Sequence, residues 1–390
     1  GVESGLYGFA IALVLLALST ILLRDSADSD AAYREWLFAG LALGLAANVR
    51  SDAIVIALIA AVAALSLRPR SRRRWKQVAL MTGVAGLTFV PWLMYSYSLT
   101  GHLTQDSGTM KQLWREVKLA GAGLPGTVTF SLILMRRYLE SAAAAMPGFD
   151  VLAALGLGVA LAGRFNRLWH DRTPVRAGLL LSIFAAAAVL ALAAAYGLFF
   201  DGFRPWYFMP AAVGGPLIVA VLLDLATTSL QQQGKLAVAT MVMLLPLLAW
   251  PLYAENLHDT VTQPGRHQFS TETYRVAQWL RANTPEDARI GAFNAGIWAQ
   301  FSERTVVNLD GLMNTDAVRA SRERRLGEFI ENRVDYVLDY AYVEEWLDAF
   351  AGPGWAAQHL AVERVFDVEL VGTPLTLWRV EGSPPAAQPQ

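Results

Sequence analysis

Residues 37–67 read LFAGLALGLAANVRSDAIVIALIAAVAALSL. Two apolar runs, Leu37–Ala47 and Ala53–Leu67, are interrupted only by Asn48-Val49-Arg50-Ser51-Asp52. Each run falls short of the about 20 residues that a helix needs to cross a ~30 Å hydrocarbon core. The pattern therefore predicts two short helices joined by a polar knuckle. Longer apolar stretches lie on both sides: Gly5–Leu23, Val78–Tyr97, Ala177–Phe200, Tyr207–Leu225 and Leu236–Tyr253, with a further short one at Val151–Ala162. Five of these are long enough, or nearly so, to span a bilayer. After Tyr253 the apolar runs stop.

The fold class that follows is a multi-span α-helical membrane domain, residues 1–253, followed by a small α/β soluble domain, residues 254–381. Residues 382–390 are rich in Pro, Ala and Gln and read as a disordered tail. Composition agrees: 54% of the residues are hydrophobic and 17% charged, an apolar balance for a chain of 390 residues. The formal net charge of −1 gives no footing for nucleic acid as a partner. The absence of cysteine excludes disulfides, thiol catalysis and thiolate metal sites. Gly5–Leu23 lacks the basic start and small-residue cleavage site of a signal peptide and reads as a span.

Positive charge on short loops marks the cytoplasmic side of a membrane protein. Arg68, Arg70, Arg72, Arg73, Arg74 and Lys76 crowd one loop; Arg164, Arg167, Arg172 and Arg176 crowd another. With both inside, counting spans puts 100–150, 201–206 and the tail after Tyr253 outside. The localisation expected is the bacterial inner membrane, multi-pass, with the C-terminal domain on the periplasmic or extracellular side.

Within the tail, Thr271–Ala282 has helical periodicity, with Ser270 or Thr271 as its cap. Arg289–Phe293, Thr305–Leu309, Val334–Leu338 and Leu375–Val380 read as strands, and Thr315–Asn332 and Val343–Phe350 as helices. Such alternation predicts a mostly parallel sheet in a small α/β layer.

Gly121-Ala122-Gly123-Leu124-Pro125-Gly126 fits the dinucleotide pattern G-x-G-x-x-G. It follows a charged helical stretch rather than a strand, and Pro125 suits it poorly, so an outer loop is the better reading. Gly40 and Gly44 form a small-xxx-small pair of the kind that lets helices approach closely. The histidines show no metal spacing.

Ionisable residues at the outer ends of spans carry more information, because charge near a membrane tends to pair or to function. Glu3 precedes the first span. Arg50 and Asp52 flank Ser51. His102, Asp106 and Lys111 lie in the segment Gly101–Lys111, and Arg204 with Tyr207 opens a later span. Each has a plain reading: a helix-start acid for Glu3, a local ion pair for Arg50 and Asp52, a solvated lysine for Lys111, an interfacial anchor for Arg204. The alternative is one polar substrate-binding site. In it Arg and Lys hold a phosphate, carboxylates hold hydroxyls, and Trp or Tyr stacks on a sugar or a lipid.

Four stretches resemble the integral-membrane GT-C glycosyltransferases, the bacterial relatives of the aminoarabinose, protein-mannosyl and arabinofuranosyl transferases. Gly1-Val2-Glu3-Ser4 resembles the family's S-G-x-E-[TS] entry to a span. Asn48–Asp52 resembles its x-x-R-P-D knuckle, with Ser51 in place of proline. Gly101–Lys111 resembles its G-x-x-x-P-[ND]-[ST]-x-x-x-K loop, with Gln105 in place of proline. The tail from Val276 through Pro285, Arg289–Gly291 and Gly296 to Val306–Leu312 resembles the family's soluble domain.

The resemblance implies transfer of a sugar from a polyprenyl-phosphate donor to a glycan, lipid or protein acceptor on the outer face of the membrane. It implies that Lys111 and Arg204 neutralise the leaving phosphate, while Glu3, Asp52 and His102 line the sugar site. The family's catalytic acid sits in a loop after its first helix. The chain opens at Gly1 with no start methionine, so that loop is expected upstream of it. No cofactor is implied beyond a possible divalent metal. Asp310 follows an apolar β-run, but Asn308-Leu309-Asp310-Gly311 is also a good turn, and a structural or acceptor-guiding role is favoured. The competing readings are a non-catalytic membrane subunit with a partner-binding outer domain, and a transporter. A transporter predicts paired repeats or mid-span charges, and neither occurs.

Overall fold

A computed structural model describes residues 2–26, 32–66, 71–101, 103, 105–144, 173–202, 205–215, 268–340, 343–370 and 373–381. The chain divides into two compact units. The first comprises residues 1–95 and 121–253, the second residues 96–120 and 254–390.

The first unit is helical: α1 (Val2–Ser26), α2 (Tyr33–Val49), α3 (Ala53–Ser66), most of α4 (Arg72–Thr100), α6 (Gly123–Ala144) and α7 (Thr173–Phe199). Among the described residues three stretches are long and apolar enough to cross a membrane: Ser4–Arg24, Arg72–Thr100 and Leu180–Phe199. On α1, Tyr7, Val14, Ala17 and Ile21 are buried while Leu6, Phe9 and Leu16 are exposed. Large apolar side chains thus occupy both the inner and outer faces, as in a helix without an aqueous side.

The polar knuckle is present but shorter than read, because Asn48 and Val49 still belong to α2. α2 ends at Arg50, whose backbone turns extended at φ −149°, ψ 123°, and α3 restarts at Ala53. The small-xxx-small pair also acts as expected. A Cβ on Gly44 would lie 2.6 Å from Thr88 Cβ, and one on Gly40 would lie 2.9 Å from Val84 Cβ. Only glycine lets α2 sit this close to α4, and Asn48 uses that proximity to donate to the Thr88 carbonyl at 3.0 Å. Val151–Ala162, Leu236–Tyr253 and most of Tyr207–Leu225 lie outside the described residues.

In the second unit, α8 (Gln268–Asn283), β1 (Arg289–Ala292), α9 (Gly296–Phe301), β2 (Thr305–Asn308), α10 (Thr315–Arg322), α11 (Leu326–Arg333) and β3 (Tyr336–Tyr340) come first. α12 (Val343–Ala351), α13 (Trp355–His359), β4 (Leu360–Leu370) and β5 (Thr373–Val380) complete it. The sheet order is β2-β1-β3-β5-β4. β1 is parallel to β2 and β3, while β5 runs antiparallel to β3 and β4. The sheet is therefore mixed rather than mostly parallel. The difference arises because β4, unread in the sequence, forms a hairpin with β5.

Adjacent strand residues feed opposite cores: Val337 and Trp378 join Phe350 and Leu347, whereas Leu338 and Leu377 join Leu280 and Trp298. This two-sided alternation is how a strand serves helices on both faces.

Three further expectations change. The helix expected from Ser270 or Thr271 starts at Gln268, so neither residue caps it. The single helix expected over Thr315–Asn332 is two, because Arg324 adopts φ 58° and the Arg325 amide reaches back to the Ala320 carbonyl, a left-handed helix end. The segment after Thr100, expected as an outer loop, holds α5 (Asp106–Leu119), whose Met110 lies in the core of the second unit.

Candidate functional site

The polar centre of the first unit is the knuckle. Arg50 Nη2 lies 3.1 Å from Asp52 Oδ2, and Arg50 Nε lies 3.3 Å from both carboxylate oxygens. The side chains are 10% and 14% exposed, which makes this a largely buried pair. Tyr196, near the end of α7, donates its hydroxyl to Asp52 Oδ2 at 2.5 Å. The Arg50 guanidinium lies 4.2 Å from the centre of the Tyr207 ring and 5.4 Å from that of Tyr7. Tyr207 belongs to the short 3₁₀ turn Pro205–Phe208.

A tyrosine stack supports this arrangement. Tyr196 stacks on Tyr207 at 5.0 Å and on Tyr138 at 5.6 Å, and Tyr138 donates to the Tyr207 carbonyl at 3.0 Å. Five elements thus converge on one guanidinium–carboxylate pair. Burying such a pair is costly unless its remaining donors and acceptors are met, and here the Tyr196 hydroxyl and the Tyr7 and Tyr207 ring faces contribute. The Arg50 guanidinium thus lies against ring faces with its Nε and Nη2 turned to Asp52. The surrounding aromatic faces suit a sugar or an isoprenoid.

Of the residues read from sequence as substrate-binding, the structure brings together Arg50, Asp52 and Tyr207. Glu3 lies in the first turn of α1. Asp106 and Lys111 lie on α5 and belong to the second unit. His102 and Arg204 lie outside the described residues. Sequence reasoning missed Tyr7, Tyr138 and Tyr196. The signal was available for two of them: Tyr7 and Tyr196 each place a hydroxyl inside an apolar span, where it needs a partner.

Asp106 is buried at the start of α5 and accepts the Thr315 hydroxyl at 2.6 Å. Gly311, at φ 70°, packs where a Cβ would lie 2.6 Å from Met110 Cγ. These contacts seat α5 against the loop after β2. In that loop Asp310 accepts the Leu312 amide at 2.7 Å, so its carboxylate closes the turn.

Ligands of open α/β sheets gather at the carboxyl ends of strands where the winding reverses. In this sheet that place is between β1 and β3, and Asp339 occupies it. Fully buried, it accepts from the Phe293 amide at 2.8 Å, the Asn294 amide at 3.2 Å and side chain at 3.2 Å, and the Tyr340 amide at 2.9 Å. Burial pushes its carboxyl up to about 6, against the pull of these donors. The loop amides that would face a ligand phosphate are engaged by this carboxylate. The G-x-G-x-x-G match is likewise no nucleotide loop, for it lies between α5 and α6 with Pro125 inside α6. Among the described residues, no group of three or more metal-ligating side chains occurs.

Residues 260–378 match a family described as a domain of unknown function, DUF8728. The match covers the sheet of the second unit and assigns it no activity. No curated protein and no solved structure matches the chain.

Proposed function

We propose that the chain is a membrane glycosyltransferase of the GT-C type. It moves a sugar from a polyprenyl-phosphate donor to a cell-envelope acceptor on the outer face of the bacterial inner membrane. The observation that carries this reading is the Arg50–Asp52 pair, set at a helix break in an apolar bundle and ringed by Tyr7, Tyr196 and Tyr207. The donor joins a long apolar chain to a phosphate and a sugar, and this cluster offers a surface for each. Arg50 takes the phosphate oxygens, and charge-assisted bonds of this kind favour a departing phosphate. Asp52 holds Arg50 in place and accepts a sugar hydroxyl, while Tyr207 covers the ring. The helices of spanning length support a membrane location, and the arginine-rich loops support an outward tail.

Native mass spectrometry of the full-length protein with polyprenyl phosphate tests the reading. The wild type should retain the lipid, and Arg50→Ala should weaken retention about 10- to 100-fold, the worth of a hydrogen bond to a charged group. Equal retention by both proteins would remove Arg50 from the phosphate site.

A further inference from the structure

The opposite end of the helical unit, remote in sequence from the knuckle, gathers a second set of charges. The end of α1 meets the start of α2 through Arg24 Nη2 and Glu35 Oε1 at 3.2 Å. The start of α4 meets the start of α2 where the Arg74 guanidinium lies 5.0 Å from the centre of the Trp36 ring. Three helix ends are thereby held together.

Two features of this end point to a ligand. Trp36 is 1% exposed, yet its indole N–H has no acceptor among the described residues. A buried tryptophan ordinarily finds one. The neighbouring polar groups Arg74 and Gln77 are also buried, at 4% and 2% exposure. At the same helix start Arg72, Arg73, Trp75 and Lys76 are exposed, a cationic and aromatic surface. Tyr33 is exposed on the adjoining start of α2. Exposed Trp and Tyr at helix ends are the side chains that settle at a lipid headgroup layer.

The charge is unevenly placed. Where α1 meets α2 the charge is mixed, for Glu35 Oε1 lies 3.2 Å from Arg24 and 3.5 Å from Arg34. Glu35 Oε2 is buried without a donor among the described residues, and an anion must avoid it. The α3–α4 connection carries Arg68, Arg70, Arg72, Arg73, Arg74 and Lys76 and no acid. An anion is therefore favoured on the α4 side of Trp36. Clusters of four to eight basic residues next to a span attract anionic lipid, each charge adding about 1 kcal/mol near the surface.

We propose that this end binds an anionic phospholipid, whose phosphodiester accepts the Trp36 N–H and lies among the cations at the start of α4. The inference rests on the helices spanning a membrane and is independent of sugar transfer, so it stands even if Arg50 holds no phosphate.

Thermal unfolding of the full-length protein in neutral detergent tests it, with phosphatidylglycerol, phosphatidylcholine or inorganic phosphate added. Phosphatidylglycerol should raise the unfolding temperature and phosphatidylcholine should not. Trp36→Phe, which keeps a ring under Arg74 but removes the N–H, should weaken the phosphatidylglycerol response about 10-fold in apparent affinity. Its lipid-free unfolding should stay close to wild type. If Trp36→Phe does not fold, Arg72→Gln with Lys76→Gln, both exposed, should reduce the same response. An equal response to phosphatidylcholine would overturn the proposal. So would a full response in the foldable variants, or inorganic phosphate alone reproducing the shift, which would mean a free-anion site.

Discussion

Asp52 in the helical unit and Asp339 in the sheet unit are both withdrawn from water, but their partners differ in kind. Asp52 faces a guanidinium at 3.1 Å and a phenol at 2.5 Å, so the negative charge is matched by a positive one. Asp339 faces three backbone amides and one side-chain amide, all dipoles. In an apolar bundle a lone charge has little else to lean on, and pairing is required. At the rim of a sheet, strand-end amides are already aimed at one point and can hold a carboxylate without a cation. Its full charge remains, and desolvation then raises its pKa.

The largest test of this contrast removes the carboxylates. Asp52→Ala strands Arg50 in the bundle and should cost about 3–5 kcal/mol, read as a large fall in the unfolding temperature of the detergent-solubilised protein. If it costs no more than Asp339→Ala, the distinction between paired and amide-held carboxylates breaks. Gly311→Ala comes next. It places a Cβ at φ 70° against Met110 and Val318, and the left-handed backbone and overpacking together should cost about 2–4 kcal/mol. The loss should appear in denaturant unfolding of the second unit followed by tryptophan fluorescence. An unchanged midpoint would detach α5 from that unit's core.

The smallest effect sharpens the comparison through pH. Folding raises the Asp339 pKa to about 6 from its ordinary value near 4. The native state therefore holds this proton more tightly than the unfolded chain does. The stabilisation it provides is complete below about pH 4 and is lost as the pH rises through 6. Asp339→Asn should flatten that dependence, changing the wild-type-minus-variant stability by roughly 2–3 kcal/mol between pH 4 and 7. Parallel pH profiles for the two proteins would show that the amides fully offset burial.

Much of this architecture was legible in the sequence because it rests on local pattern. The helix break at Arg50–Asp52 needed only two apolar runs and a polar gap, and the close approach of α2 to α4 needed only Gly40 and Gly44. β1, β2, β3 and β5 showed as β-type runs between turn residues. β4 escaped because the alternation expected of a strand with one buried face is broken: Val362 and Val365 are exposed while Phe366 and Val368 are buried, and the pairing with β5 shifts register twice. Missing it made the sheet look parallel.

The site was legible in part. Arg50, Asp52 and Tyr207 were marked by charge and position at span ends. Tyr138 reaches Tyr207 across 69 residues and Tyr196 reaches Asp52 across 144, tertiary contacts that no local pattern encodes. The amphipathic face of α5 was readable as helical, but nothing near it in sequence names the surface it covers.

That placement of α5 sets a problem in time. Met110 and Trp114 meet partners such as Leu309 and Trp346, which are made only after residues 121–253 have left the ribosome. At about 5–20 residues per second that interval lasts roughly 7–27 s. Through it, the apolar side of α5 is a newly made surface waiting for its mate. Sequence neighbours cannot shield it, so the order of synthesis leaves this helix open to chaperones, proteases and neighbouring nascent chains.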